Sequence, residues 1–400
     1  MNRLKGSRTL NDSLSERLFL MTKNISFIDL GAQRDRLREK LDSTITEVIE
    51  SGAFVLGPQV QELEARLAAF TGAPYGIACA NGTDAIVLPL LAMGIGRGDA
   101  VFVPSFTFAA SAEAIPWSRA TPVFVDVDPV SYNMDPASLT AAVEMVKAEG
   151  KLRPACVIAV DLFGQMANYP AIREICDEHG MRLISDAAQA FGATLNEKHS
   201  IEWADATTIS FYPAKPLGCY GDGGAVLVKD AALRDLIKSY RVHGEGKARY
   251  EYARIGLNSR LDTIQAAILL VKLDAFAEEL ILRQKAADIY EKGLKDAVKT
   301  PQLAPGATGT WAQYTIEVDD RDVFRSYLSS RGVPTAVYYP IPLHMQPPYA
   351  NFSVAPGGLP VTIKKCERVV SLPMHADIRS ADQQCVVEVI QEYFAERAAD

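Results

Sequence analysis

From residue 74 to residue 236 the chain alternates short apolar, β-prone runs with helix-competent stretches. The runs lie at 75–80, 100–103, 122–127, 155–160, 182–186, 206–211 and 225–228. Runs apolar throughout, rather than on alternate residues, belong to strands buried on both faces, and the intervening helices supply the cover. The pattern predicts an α/β protein with a large, mostly parallel seven-stranded sheet. In such sheets ligands collect at the carboxyl ends of the strands, so the residues that follow each run are the candidates for function.

Three of these strand ends carry chemistry. The run 206–211 passes into Ser210-Phe211-Tyr212-Pro213-Ala214-Lys215-Pro216-Leu217-Gly218. Pro216 biases Lys215 away from helical geometry, which leaves it on a pinned, extended turn. A lysine held this way presents its amine to a carbonyl, although most lysines taken singly are solvated surface charges. The run 182–186 ends in Asp186-Ala187-Ala188-Gln189. An acid there holds a ring nitrogen protonated, or simply caps a helix or forms a turn. The run 75–80 enters Asn81-Gly82-Thr83-Asp84 ahead of an apolar helical stretch. Gly82 permits close approach, Thr83 offers a hydroxyl, and free N–H groups at a helix start bind phosphate. A plain strand–turn–helix connection carries the same local signature. Turn lysine, strand-end acid and phosphate cradle on alternating strand–helix units together point to pyridoxal 5'-phosphate (PLP) as cofactor.

Outside this region, Leu37, Leu41, Ile45 and Val48 are spaced for one helix face, and Pro58 opens a second helix that Gly72 closes. An apolar helix over 261–276 links to a smaller α/β layer with strands at 312–318 and 335–339, a helix at 322–330 and a C-terminal helix at 381–397. The expected division is a disordered extension over 1–24, a large domain over 25–275 and a small C-terminal domain over 276–400. The 400 residues are 48% hydrophobic with a formal net charge of −8. This balance suits a cytoplasmic enzyme and gives no support for a nucleic-acid or membrane partner. Six cysteines lack any metal-type spacing, so no metal is expected, and they read as reduced thiols.

The chain resembles the DegT/StrS-type PLP-dependent nucleotide-sugar aminotransferases, which have the aspartate aminotransferase-like fold type I. Besides the three strand ends, the resemblance rests on Phe27-Ile28-Asp29-Leu30, Gly57-Pro58 with Glu62-Leu63-Glu64, Pro104-Ser105-Phe106-Thr107-Phe108, and the segment 257–267 containing Asn258-Ser259-Arg260. Tyr339-Pro340-Ile341-Pro342-Leu343 and Ser371-Leu372-Pro373-Met374-His375 complete it.

It implies that Lys215 holds the cofactor as an imine and moves the proton, with Asp186 on the pyridinium and Phe108 stacked on the ring. By the same likeness Ser210, Gly82 and Thr83 take the phosphate, and Gln189 lies near the phenolic oxygen. Asn258 and Arg260 reach the neighbouring subunit's site in a homodimer, Asn258 toward phosphate and Arg260 toward substrate. From the residues alone, Asn258 reads equally as the cap of the helix at 261 and Arg260 as a surface cation. Tyr338, Tyr339 and His344 fall on the substrate side.

The implied reaction carries nitrogen from L-glutamate to a 3-keto nucleotide sugar for surface polysaccharide, with UDP-2-acetamido-2-deoxy-3-keto-glucuronate as the expected acceptor. Asn258-Ser259-Arg260 resembles the form in C3-directed members, whereas C4-directed ones more often carry Asn-Tyr-Arg. Tyr338 departs from the histidine usual before Tyr339-Pro340. The alternatives are a neutral dTDP-3-keto-6-deoxyhexose as acceptor, C4 amination, or a non-catalytic regulator. A sugar dehydratase of this family would carry histidine in place of Lys215.

Overall fold

The computed structural model describes residues 25–248 and 250–399, so the stretch 1–24 lies outside the described residues. Two helices come first, α1 (Leu30–Ser51) and α2 (Pro58–Thr71). Gly52 and Gly72 end them in the left-handed conformation, at φ 66° and 73°. Seven strands follow: β1 (Tyr75–Cys79), β2 (Asp99–Pro104), β3 (Thr121–Val125), β4 (Arg153–Val160), β5 (Arg182–Asp186), β6 (Ala206–Ser210) and β7 (Gly224–Val228). Between and after them run α3 (Gly82–Ala92), α4 (Ala109–Trp117), α5 (Pro136–Glu149), α6 (Tyr169–Glu178) and α7 (Ala231–Tyr240).

The chain continues through α8 (Thr263–Leu294), β8 (Tyr314–Glu317), α9 (Arg321–Ser330), β9 (Ser353–Val354), α10 (Pro360–Arg368), β10 (Val369–Leu372) and α11 (Ser380–Ala399). The sheet order is β1-β7-β6-β5-β4-β2-β3-β9. Its pairs are parallel from β6 to β9, and β7 runs antiparallel to both β6 and β1. All seven expected strands are present, but the sheet has eight. The extra member, β9, is a two-residue edge strand beside β3.

Helices cover the sheet as the apolar runs require, and Phe102, Val123, Val157, Ile184 and Leu139 lie in one continuous core. Leu37 and Leu41 of α1 pack on Ile268 and Val271 of α8, while Val60, Leu63 and Leu67 of α2 join a cluster with Leu269 and Phe276. Helix α8 is 32 residues long, well beyond the expected 261–276, and runs unbroken through residue 275. Its distal half, with Tyr290 and Leu294, enters a second core containing Tyr314, Phe324, Leu328, Val386 and Ile390.

In that second core β8 pairs with β10, and residues 335–339 form no strand; only Ala336 bridges to Ser371. The aromatic pair Tyr338–Tyr339 packs instead on the cluster around Phe106 and Phe163. All six cysteines are free and buried. Among the described residues no helix is long and apolar enough to cross a membrane, and no cluster of His, Cys, Asp and Glu side chains suits a metal ion.

Candidate active site

The ends of β1, β5 and β6 converge on one side of the sheet. Strand pairing sets Asp186 opposite Thr208 of β6, and Ser210 opposite Gly224 of β7. Asp186 is buried. Its Oδ2 accepts a hydrogen bond from the Ser111 hydroxyl (2.7 Å), and its Oδ1 accepts one from the Ala188 N–H (3.2 Å). Burial pushes its pKa up, while the Ser111 and Ala188 donors and the Lys215 charge pull the other way. The Lys215 amine is lowered by burial and raised by the Asp186 charge. The two groups therefore sense each other in a site that disfavours charge on either one alone.

The lysine turn is held by its backbone. The Lys215 N–H donates to the Tyr212 carbonyl (2.8 Å), and the Phe211 and Cys219 N–H groups close the loop on Gly223 and Phe211 carbonyls at 2.8 Å each. Gly218 is required here, since a Cβ would stand 2.5 Å from the Pro213 carbonyl oxygen. No hydrogen bond holds the Lys215 side chain among the described residues, which leaves its amine available.

At the start of α3 the Asn81 side chain caps the Asp84 N–H (2.8 Å). A Cβ on Gly82 would lie 2.7 Å from the Ser210 Cβ and 3.0 Å from its Oγ. Glycine thus brings the helix N-terminus directly against the Ser210 hydroxyl. The Thr83 hydroxyl, half-buried beside it, makes no hydrogen bond within the described residues. Uncapped N–H groups, a hydroxyl on either side and the helix dipole form an anion cradle.

Phe108 stands at the N-cap of α4, 58% exposed, with its ring 6.3 Å from that of Tyr339. Gln189 is buried and bracketed: its Oε1 accepts from the Phe163 N–H (2.6 Å), and its Nε2 donates to the Tyr339 hydroxyl (2.9 Å). Tyr338 packs on Phe27 and Tyr339, beside Gln313. His344 Nδ1 lies 2.8 Å from the Ser105 hydroxyl, which also accepts the His344 N–H at 3.0 Å; burial lowers the imidazole pKa.

Asn258 and Arg260 flank Ser259, whose hydroxyl accepts from the Ala80 N–H (3.2 Å) just before the cradle. Asn258 is exposed and bridges to Val242, and Arg260 has no ion-pair partner among the described residues. Neither hydrogen-bonds to Lys215 or Asp186 within the chain. Asn258 is not a helix cap: α8 begins at Thr263, with Asp262 at the N-cap. Sequence reasoning missed Ser111 and Ser105. Ser111 had one readable signal, its spacing of four from Thr107, whose hydroxyl it meets at 3.0 Å.

Residues 35–391 match the DegT/DnrJ/EryC1/StrS aminotransferase family. The chain is 46% identical to a UDP-2-acetamido-2-deoxy-3-oxo-D-glucuronate aminotransferase of Pseudomonas aeruginosa, over 89% of this chain and 97% of that one. It is 43% identical to a pleiotropic regulatory protein of Geobacillus stearothermophilus, over 93% and 99%. The crystal structure of a DegT DnrJ EryC1 StrS aminotransferase from Brucella abortus superimposes with a TM-score of 0.92 at 48% identity, covering 93% of this chain and all of that one.

Proposed function

The chain belongs to the DegT/DnrJ/EryC1/StrS aminotransferase family, and we propose that it moves an amino group from L-glutamate to the 3-keto group of UDP-2-acetamido-2-deoxy-3-keto-glucuronate. In this reading it is a cytoplasmic homodimer serving surface polysaccharide synthesis. Its cofactor-binding domain spans 25–275 and its small domain 276–400. The observation that carries an aminotransferase reading is the buried Asp186 at the end of β5, held by Ser111 and Ala188, beside the Lys215 turn after β6 and the glycine-tight contact of the α3 start with Ser210.

The residues present fit PLP, the cofactor of this family. The start of α3, with Gly82, Thr83 and Ser210, fits the phosphate, and Asp186 fits the ring nitrogen. When bound, PLP supplies an electron sink that stabilises negative charge on the carbon losing its proton. The protein's share is placement and proton handling. Burial raises the Asp186 pKa against the Ser111 and Ala188 donors, and a protonated ring nitrogen would supply the positive partner its carboxylate needs. The exposed Phe108 would cover one face of the ring. Gln189, fixed by Phe163 and Tyr339, would sit near the phenolic oxygen. Lys215, whose pKa burial has lowered, would be the group that moves the proton once the cofactor is bound. A poised amine does this better than a fully charged one.

Arg260 and Asn258 complete the partner subunit's site, and neither hydrogen-bonds to Lys215 or Asp186 of its own chain. Mixing Lys215→Ala with Arg260→Ala protein restores activity in about a quarter of all sites, because random exchange makes half the dimers mixed and rebuilds one site in each. Proven exchange without recovery rejects the shared site.

The uronate reading turns on Arg260, whose planar fork grips a carboxylate through two parallel hydrogen bonds. Tyr338, Tyr339 and His344 line the approach. Arg260→Lys keeps the charge but loses the fork. It lowers kcat/KM for the keto-uronate by about 10–100-fold and leaves PLP affinity unchanged. The test is a side-by-side comparison with a neutral dTDP-3-keto-6-deoxyhexose, glutamate being the donor in both. Preference for the neutral sugar, or indifference to Arg260→Lys, retires the uronate and leaves a 3-aminotransferase of another sugar.

A further inference from the structure

Asp161 follows β4 directly, next to the end of β5, where Val160 pairs with Asp186. Its backbone N–H donates to the Asp186 carbonyl (3.0 Å), and its side chain is buried, 1% exposed. Oδ1 accepts from the Ala167 N–H (2.8 Å) and lies 2.8 Å from the Tyr169 hydroxyl, while Oδ2 lies 3.2 Å from Ser185 Oγ. Ser185 Oγ in turn meets the Tyr169 hydroxyl at 2.6 Å and Ser200 Oγ at 2.9 Å, and Ser200 Oγ meets Thr207 Oγ1 at 3.1 Å.

A proton inventory decides the state of this cluster. Its five groups make five oxygen–oxygen contacts, but the four hydroxyls bring only four protons. With Asp161 ionised, one contact has no proton and two sets of lone pairs face each other. Tyr169 donates to Ser185 and Ser185 to Ser200, so their protons are engaged away from Asp161, and a carboxylic acid brings its own proton to a contact that otherwise has none. No lysine, arginine or histidine touches Asp161 among the described residues. A buried carboxylate without a cation is costly to keep ionised. Consistent with this, burial pushes its pKa up to about 7, and the Asp186 charge acts in the same sense.

Ser185 immediately precedes Asp186, and consecutive strand residues point to opposite faces. Pinning Ser185 on one face therefore fixes the depth and tilt at which Asp186 leaves the other. We infer that Asp161 is a positioning residue for Asp186, held as the neutral acid so that its proton completes the hydroxyl chain behind the end of β5. The role assigned to Asp186 rests on the proposed function; the protonation state of Asp161 does not.

Infrared difference spectroscopy on the cofactor-free protein tests the protonation state. A protonated-carboxyl band is expected near pH 6. It disappears in Asp161→Asn, persists in Asp186→Asn, and fades as pH rises toward 8. The titratable groups facing Asp161 are Asp186 and Tyr169. Its folded pKa lies above the unfolded value of about 3.9. Its contribution to stability is therefore complete at acid pH and lost as pH rises through about 7. The melting temperature of the cofactor-free wild type falls more between about pH 5 and about pH 8 than that of Asp161→Asn.

In the holoenzyme, Asp161→Asn retains activity within about threefold, because its Oδ1 accepts from Ala167 while Nδ2 donates to Ser185. Asp161→Leu fills the volume without a donor and loses about 100-fold, since Asp186 shifts from its working position. Absence of the band from the wild type, or Asp161→Asn as damaged as Asp161→Leu, overturns the inference. If Asp161→Leu does not fold, the band and the Asp161→Asn activity decide it. A wild type that transaminates no keto sugar tells against the proposed function alone, and the infrared result still decides the state of Asp161.

Discussion

Lys215→Ala abolishes transamination, by at least about 10⁴-fold, while the protein keeps its fold and its melting temperature. The loss is large because the proposal makes this lysine both the amine that anchors the cofactor and the base that moves the proton, and no other lysine is found against Asp186 among the described residues. The retained fold follows from the turn's construction. Backbone bonds from Lys215 to Tyr212, Phe211 to Gly223 and Cys219 to Phe211 hold it, and none involves the side chain that is removed. Removal also relieves a desolvation cost, since burial lowers the Lys215 pKa with only the Asp186 charge to offset it. Stability of the cofactor-free variant is therefore equal to or above that of the wild type. Thermal melts and single-turnover assays on the same preparation check both halves. Substantial turnover by purified Lys215→Ala protein ends the mechanism, and a collapsed melt ends the account of the turn.

The candidate site was legible where a distinctive residue type stands next to an apolar run. Lys215 between two prolines, Asp186 at the close of a buried strand and Gly82 at a helix start each announce themselves within a few residues. Their hydrogen-bond partners do not. Ser111 is 75 positions from Asp186 and His344 is 239 from Ser105, so both contacts exist only once the sheet has assembled. The edge strand Ser353–Val354 is too short for any periodicity to register. Residues 335–339 look strand-like by composition, but Tyr338 and Tyr339 gain more by packing against the aromatic cluster of Phe106 and Phe163 than by continuing a ladder into Pro340. Asn258 reads as a cap because asparagine favours that position, yet the chain bridges to Val242 there and turns into α8 only at Asp262. Local propensity yields at each of these places to contacts made far along the chain.

Asp186→Asn lowers kcat by about 10³-fold while leaving PLP bound. The two effects separate because two different parts of the site are responsible. In the proposed site, affinity comes largely from the start of α3 with Gly82, Thr83 and Ser210, which the substitution does not touch. On the proposed assignment, rate would come from the Asp186 charge facing the ring nitrogen, and an amide of the same shape cannot keep that nitrogen protonated. The local hydrogen bonds also shift. The Asp186 oxygens accept from Ser111 and Ala188 on opposite sides, and an asparagine presents an NH₂ to one of those donors. Ser111 adapts by rotating its hydroxyl to accept, so the protein folds. The charge itself has no substitute. An N-methylated cofactor, which carries a fixed positive charge on the ring nitrogen, bypasses the missing proton and restores much of the activity to Asp186→Asn but adds none to the wild type. Equal failure of the variant with both cofactors would falsify the assignment of Asp186 to the ring nitrogen and reduce it to a structural acid held by Ser111.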